Sequence, residues 1–185
     1  MIDSRSRLSL NPMTARAIYD LALRGGYDDF QVVIELLERL GKPGCIIGGL
    51  AVNVYCEPIY TADADFVVIA SELDLVCAEL AGLGFTISRH RFSVDAQLPC
   101  SGFVVELTTD PRCQDFLQRA TPAEVLGVQC RVAALADLFQ GQLWAASDPE
   151  HRATKRAKYE LDLVRIADAY PEYLPLLPEA LRARL

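Results

Sequence analysis

The stretch from Cys45 to Val68 reads CIIGGLAVNVYCEPIYTADADFVV. It carries a glycine pair, Gly48-Gly49, and then two aspartates separated by one residue, Asp63-Ala64-Asp65. Residues two apart on a strand point to the same face. Asp63 and Asp65, at the start of the apolar run Phe66-Val67-Val68-Ile69, therefore project together. Two converging carboxylates repel each other unless a cation lies between them. Hard oxygen donors on a rigid strand suit Mg²⁺, which takes one or two carboxylates together with substrate phosphates. Glu106 offers a third carboxylate. It stands inside FVVELT, Phe103 to Thr108, where an unpaired charge would be costly to bury. The glycine pair suits the same chemistry, because glycine lets backbone approach a ligand and a helix N-terminus offers free N–H groups to a phosphate. Asp63, Asp65 and Glu106 beside Gly48 and Gly49 thus describe a two-metal phosphoryl-transfer site. One ion would activate a hydroxyl and the other would hold a triphosphate.

The elements that must position these residues follow from periodicity. Helical spacing is expected over Pro12–Leu23 and Asp29–Leu40, with Asp28 or Asp29 as N-cap of the second helix and Gly41-Lys42-Pro43-Gly44 as its stop. Cys45–Ile47 reads as a short buried strand, Leu50–Tyr55 as a helix ended by Pro58, and Phe66–Ile69 as a second buried strand. Glu72–Leu83 is expected helical, and Phe85–Ser88 with Phe92–Ala96 form a hairpin. Phe103–Thr108 and Val128–Val132 are expected strands, and Ala134–Ala146 a helix holding the only tryptophan, Trp144. A long helix is expected over Pro149–Tyr170 with Leu161, Val164 and Ile166 as its apolar residues, then a last short helix in the tail. Helices, then strands mixed with helices, then helices again predict an α/β (α+β) fold with a mixed sheet and a helical C-terminal region. The chain is expected to be one domain over 1–185: helices over 1–43, an α/β core over 44–133 and a helical region over 134–185.

Composition narrows the function classes. The 185 residues are 51% hydrophobic, enough for one packed core, and no apolar run reaches the roughly 18 residues of a membrane span. The opening MIDSRSRLSLNPM has no long apolar segment, so no secretory signal is expected. The six cysteines form no CxxC pair and are expected to be reduced core thiols, consistent with a cytoplasmic protein. His90 and His151, the only histidines, lie near no paired cysteines, which argues against zinc. A net charge of −7 argues against coating nucleic acid, although HRATKRAK, His151 to Lys158, gathers four basic residues and no acid.

Taken together, the glycine motif Gly48-Gly49-Leu50-Ala51-Val52 and the metal motif Thr61-Ala-Asp63-Ala-Asp65-Phe66 resemble the nucleotidyltransferase superfamily that includes DNA polymerase beta. Within it, the chain resembles the minimal bacterial nucleotidyltransferases and the AbiEii-like toxins of type IV toxin–antitoxin systems. The C-terminal LADLFQGQLWAASDPEHRATKRAKYELDLVRI is similar to the family segment carrying lysines, a basic pair and an aspartate, so the likeness spans about residues 44 to 178. The resemblance implies two Mg²⁺ ions and transfer of a nucleoside monophosphate from an NTP to a hydroxyl of an RNA end such as tRNA, a protein or a small molecule. It implies that Asp63 and Asp65 carry both metals, with Glu106 as third acid and Asp95 and Asp110 as rivals. Thr61, Gly48 and Gly49 would border the nucleotide. Lys155 and Lys158 would meet the triphosphate, with Arg152 and Arg156 assisting, and Asp162 matches a late acid of the long helix. An antitoxin protein would be the partner of a toxin-like member. Gln142, where relatives carry lysine, and Tyr159, where they often carry aspartate, raise an alternative: a weakened nucleotide-binding or regulatory domain of the same fold.

Overall fold

The computed structural model describes residues 26–42 and 44–185. The first expected helix, Pro12–Leu23, lies outside them. Helix α1, Gly26–Arg39, begins earlier than its apolar stripe suggests. Asp28 and Asp29 are therefore not N-caps; they sit in the first turn, where carboxylates favour the positive end of the helix dipole. Gly41 ends the helix with φ +63, a conformation that glycine reaches without strain.

Strand β1, Cys45–Ile47, passes directly into helix α2, Gly48–Tyr55, so the helix starts at the glycine pair and not at Leu50. Strand β2, Asp63–Val67, includes both aspartates and stops before Ile69. Helix α3, Leu73–Gly82, leads to the hairpin of β3, Thr86–Arg89, and β4, Ser93–Gln97. Strand β5 is Val104–Thr108, followed by the short α4, Phe116–Arg119. Strands β6, Thr121–Val125, and β7, Val128–Val132, pair as a second hairpin across Leu126-Gly127, both with positive φ. Helices α5, Leu135–Ser147, α6, Ala153–Ala169, and α7, Glu179–Arg182, complete the chain. The long helix thus begins at Ala153, and Pro149 to Arg152 precede it.

The strands form one sheet in the order β3-β4-β5-β2-β1-β7-β6. β2 runs parallel to β5, and β1 parallel to β7, while β1 and β2 are antiparallel. This is the expected mixed sheet flanked by helices. On β2, Ala64 and Phe66 alternate with Asp63, Asp65 and Val67. Phe66 meets Phe30 of α1 at a ring separation of 5.9 Å, so α1 covers the face opposite the aspartates. Both rings are fully buried, and truncating either to alanine should cost about 3–5 kcal/mol.

On the aspartate face a smaller core joins Val52 of α2, Phe139 of α5, Leu163 and Ile166 of α6, and Leu177 and Leu181 of the tail. It clamps α6 across the sheet. The apolar face of α6 differs from the expected one: Leu163 and Ile166 are buried, whereas Leu161 points outward and is 50 % exposed. In the tail, Tyr173 packs on Phe139 at 4.8 Å. Leu174 and Leu176 are exposed.

All six cysteines are free. Burial pushes the thiols of Cys45 and Cys130 up to about 12 and that of Cys113 to about 11, which leaves them unreactive core side chains. No helix of the described residues is long and apolar enough to cross a membrane.

One buried group is poorly served. Asp29 is 4 % exposed, and its Oδ2 has no hydrogen-bond partner. Burial raises its pKa, Ser101 partly offsets the rise by hydrogen bonding, and Asp28 adds to it. A carboxyl whose folded pKa lies above its unfolded value gives its stability at low pH and loses it as pH climbs through the folded value. Asp29→Asn should therefore gain on wild type as pH rises from below the ordinary aspartate value to neutrality. Thermal melts of both proteins across that range check this; a constant difference contradicts it.

Candidate active site

The register of the sheet brings the acids together. Asp65 lies opposite Glu106 across the parallel β2–β5 pair, and Glu106 lies opposite Asp95 across β5–β4. Ile47, the last residue of β1, lies on the other side of Asp65. Directly paired residues share a face. Asp95, Glu106 and Asp65 thus form one row across three strands, with Asp63 two residues from Asp65 on the same face. Asp95 joins the row beside Glu106, and it also meets His90 at 3.1 Å. Asp110 stands off this row but lines a cleft that Asp65 and Glu106 also line. It caps the turn at Pro111–Cys113 and pairs with Arg112 at 2.6 Å, which holds its carboxyl below the usual range.

Gly48 shapes the centre. Its φ is +66, and a Cβ built on it would lie 1.9 Å from Oδ2 of Asp65. No side chain fits there, so the sharp passage from β1 into α2 and the seat of the Asp65 carboxyl depend on the same missing atom. Gly49 faces Thr61 at ordinary contact distance. The buried Thr61 hydroxyl donates to Oδ1 of Asp63. Burial holds Asp65 well above the usual carboxylate value, Glu106 and Asp63 push it further, and Lys155 and Lys158 pull it back. The residue is half-buried overall, but its carboxyl end lies against the Gly48 backbone.

The offsetting charge comes from α6. Lys158 Nζ lies 3.2 Å from Oδ2 of Asp63, and Lys155 Nζ 3.8 Å from Oε2 of Glu106. Three residues apart on a helix, the two lysines share a face, and each reaches a different strand. Among the described residues, no three His, Cys, Asp or Glu side chains are gathered closely enough to hold an ion as they stand. The donors nonetheless match magnesium in kind: carboxylate oxygens on one sheet face, two of them met by exposed lysine side chains.

Two clefts meet at the acids. The first, about 490 Å³, is bordered by Gly49, Thr61, Asp63, Arg152, Lys155 and Lys158, among others. Arg152 stands on its wall. Arg156 does not line it and instead donates to the His151 carbonyl at 2.8 Å. The second cleft, about 240 Å³, runs under Trp144, Arg112 and Phe116. Asp65, Glu106, Lys155 and Tyr159 border both. Arg112 sits 5.2 Å over the Trp144 ring, and Trp144 stacks on Phe116 at 6.1 Å.

Gln142 and Tyr159 both have partners in the structure. Gln142 is buried and its neutral amide donates to Oδ2 of the Asp162 carboxylate at 3.0 Å, where a lysine would bring a second cation beside Arg165. Tyr159 lies between the clefts beside the His151 ring, and its phenol is held protonated by burial and then by Asp65, Glu106 and Asp63. Sequence spacing gave no hint of Arg165, which binds Asp162 and reaches Asn53 on α2. An arginine in the last turns of an amphipathic helix looks like solvated surface.

No family model matches the chain, and no curated protein matches it by sequence. Solved structures do. The antibiotic-resistance factor ANT(2'')-Ia superposes with a TM-score of 0.59 at 14% identity over 84% of this chain and 90% of that one. The lincosamide antibiotic adenylyltransferase LnuA gives 0.52 at 14% identity over 75% and 96%. A nucleotidyltransferase-like protein from Paracoccidioides brasiliensis gives 0.51 at 18% identity over 78% and 73%. The described chain thus has the nucleotidyltransferase fold.

Gly48→Ala should displace the Asp65 carboxyl and strain the backbone at positive φ, costing roughly 1–3 kcal/mol. Gly49→Ala, whose Cβ would meet only ordinary contacts, should be much milder. Thermal unfolding of the two variants checks the contrast; equal melting temperatures contradict it.

Proposed function

We propose that the chain is a magnesium-dependent nucleotidyltransferase that transfers a nucleoside monophosphate from an NTP to a hydroxyl. The observation that carries this is the row of carboxylates on neighbouring strands, faced by two lysines that one helix delivers to them. Asp63, Asp65 and Glu106 would hold the metal. Magnesium held there would supply Lewis acidity toward the attacking hydroxyl and charge to offset the pyrophosphate.

The chain's own residues account for the rest. The larger cleft, with Gly49, Arg152, Lys155 and Lys158 on its walls, suits the triphosphate. Lysine is a charge on a flexible stem, so Lys155 and Lys158 can exchange a carboxylate partner for a phosphate oxygen. The smaller cleft, walled by Trp144 and Phe116, suits a compact hydroxyl-bearing acceptor or the end of a larger one. The acceptor oxygen attacks the α-phosphorus, the bond from that phosphorus to the pyrophosphate oxygen breaks, and the hydroxyl proton passes to a carboxylate of the cluster. Tyr159, protonated at the junction, can donate a hydrogen bond to a phosphate or acceptor oxygen there.

The structural neighbours act in keeping with this chemistry. LnuA is an adenylyltransferase for a lincosamide antibiotic, and ANT(2'')-Ia is seen with adenylyl-2''-tobramycin. Active transfer is favoured over a purely regulatory nucleotide-binding role because the acids extend over three strands, beyond the one or two carboxylates that hold magnesium on a bound triphosphate.

Purified protein incubated with labelled NTPs, Mg²⁺ and cell extract should label an acceptor. Asp63→Ala and Asp65→Ala should each lower labelling at least about 100-fold, the scale of losing electrostatic stabilisation of a transition state. Retained labelling in both would contradict the mechanism. Lys158→Ala, measured by NTP titration, should mainly raise KM, whereas a loss confined to kcat would remove this lysine from triphosphate binding.

A further inference from the structure

Helix α6 touches more than the two acids. Along one stripe it presents Lys155, Lys158, Asp162 and Arg165, spaced three or four residues apart. The first pair reaches the carboxylates. The second pair builds a chain of hydrogen bonds toward the segment between α2 and β2. Gln142 of α5 donates to Asp162 Oδ2 at 3.0 Å, and Arg165 Nη1 donates to Asp162 Oδ1 at 2.6 Å. Arg165 Nη2 donates to Asn53 Oδ1 and to the Glu57 carbonyl, each at 2.6 Å. Asn53 in turn brackets Ile59, donating to its carbonyl at 2.8 Å and accepting from its N–H at 3.1 Å.

Glu57, Pro58 and Ile59 are exposed, so burial contributes little to their placement. Two residues beyond Ile59 stands Thr61, buried and bonded to Asp63. The anchor itself is well shielded: the side chains of Asp162 and Arg165 are 9% and 11% exposed. A buried ion pair with its remaining polar atoms satisfied is stiff, and its value lies in fixing one arrangement more than in adding stability.

We propose that Asn53 and Arg165, held by Asp162 and Gln142, are positioning residues that fix the 57–61 loop and through it the Thr61–Asp63 end of the metal-binding strand. This rests on the proposed function, which makes Asp63 a metal ligand. It also gives Gln142 a role in place of the lysine: a neutral amide satisfies Asp162 Oδ2 and leaves Arg165 as the cation paired with that carboxylate.

Asn53 is the variant of choice, since it is half-buried on α2 and outside the acid cluster. Two measurements on the pure protein, without NTP, test the proposal. Hydrogen exchange followed by mass spectrometry reads the 57–62 amides, and Mn²⁺ uptake read by the paramagnetic resonance of free Mn²⁺ reads the metal site. Asn53→Ala should speed exchange across 57–62 and weaken Mn²⁺ binding roughly 10- to 100-fold, the range for residues that orient metal ligands, with the melting temperature showing the protein still folded. Asn53→Asp keeps the acceptor for Arg165 and the Ile59 N–H and should restore most of both. Unchanged Mn²⁺ affinity in Asn53→Ala, with wild type binding Mn²⁺, overturns the positioning role whether or not exchange rises. A wild type that takes up no Mn²⁺ is a different failure: it overturns the proposed function, and this inference with it.

Discussion

Carboxylates in neighbouring positions on one sheet face repel each other, and the protein sets a single helix against that repulsion. Asp95, Glu106 and Asp65 stand in register across three strands, with Asp63 beside them. Lys155 and Lys158 of α6 answer two of the four. Pairs this exposed contribute little to stability, since the lysine side chains are 41% and 62% exposed. Their significance is electrostatic poise. The acids remain incompletely neutralised at the centre, where Asp65 is held well above its ordinary value by burial and by Glu106 and Asp63. Under the proposed function, divalent cations would relieve that repulsion and leave the lysines to phosphate.

The fold exists to hold that arrangement. The parallel β2–β5 pairing sets Glu106 opposite Asp65, and a slip of one residue would turn Glu106 to the α1 face. Gly48 lets Asp65 keep its place. The small core of Val52, Phe139, Leu163, Ile166 and Leu177 presses α6 toward the sheet, so that both lysines reach their strands. On this account the polar chain through Asp162, Arg165 and Asn53 belongs to the same task, governing the approach of the backbone to Asp63.

Much of this was legible in the sequence, for identifiable reasons. Gly48-Gly49 and Asp63-Ala-Asp65 are local signals: spacing two on a strand fixes a shared face wherever the strand goes. Cys45–Ile47, Val128–Val132 and the Phe85–Ala96 hairpin were readable as apolar or alternating runs. β6 was not, because Thr121-Pro122-Ala123-Glu124-Val125 carries a proline and only one buried apolar side chain, and its turn uses Leu126 at φ 51 where Asn or Gly would have been the usual signal. Edge position is what makes the proline tolerable. The start of α6 was set too early, since Pro149 to Arg152 carry no period and the helix begins only at Ala153. Its core face was read only in part: Val164 and Ile166 pack inward as expected, but Leu163 is in and Leu161 out. Asp95 could be named but not placed, as its role depends on cross-strand register. Arg165 and Asn53 are 112 positions apart, a pairing that no local pattern reveals.

The most direct measurement is a structure of the protein with Mg²⁺ and a non-hydrolysable NTP. Expected are ions seated among Asp63, Asp65 and Glu106, and a triphosphate along Gly49, Lys155 and Lys158, with both lysines turned from carboxylate to phosphate. A triphosphate bound elsewhere, or one bound while Lys158 stays on Asp63 and no ion enters the acid row, would contradict it.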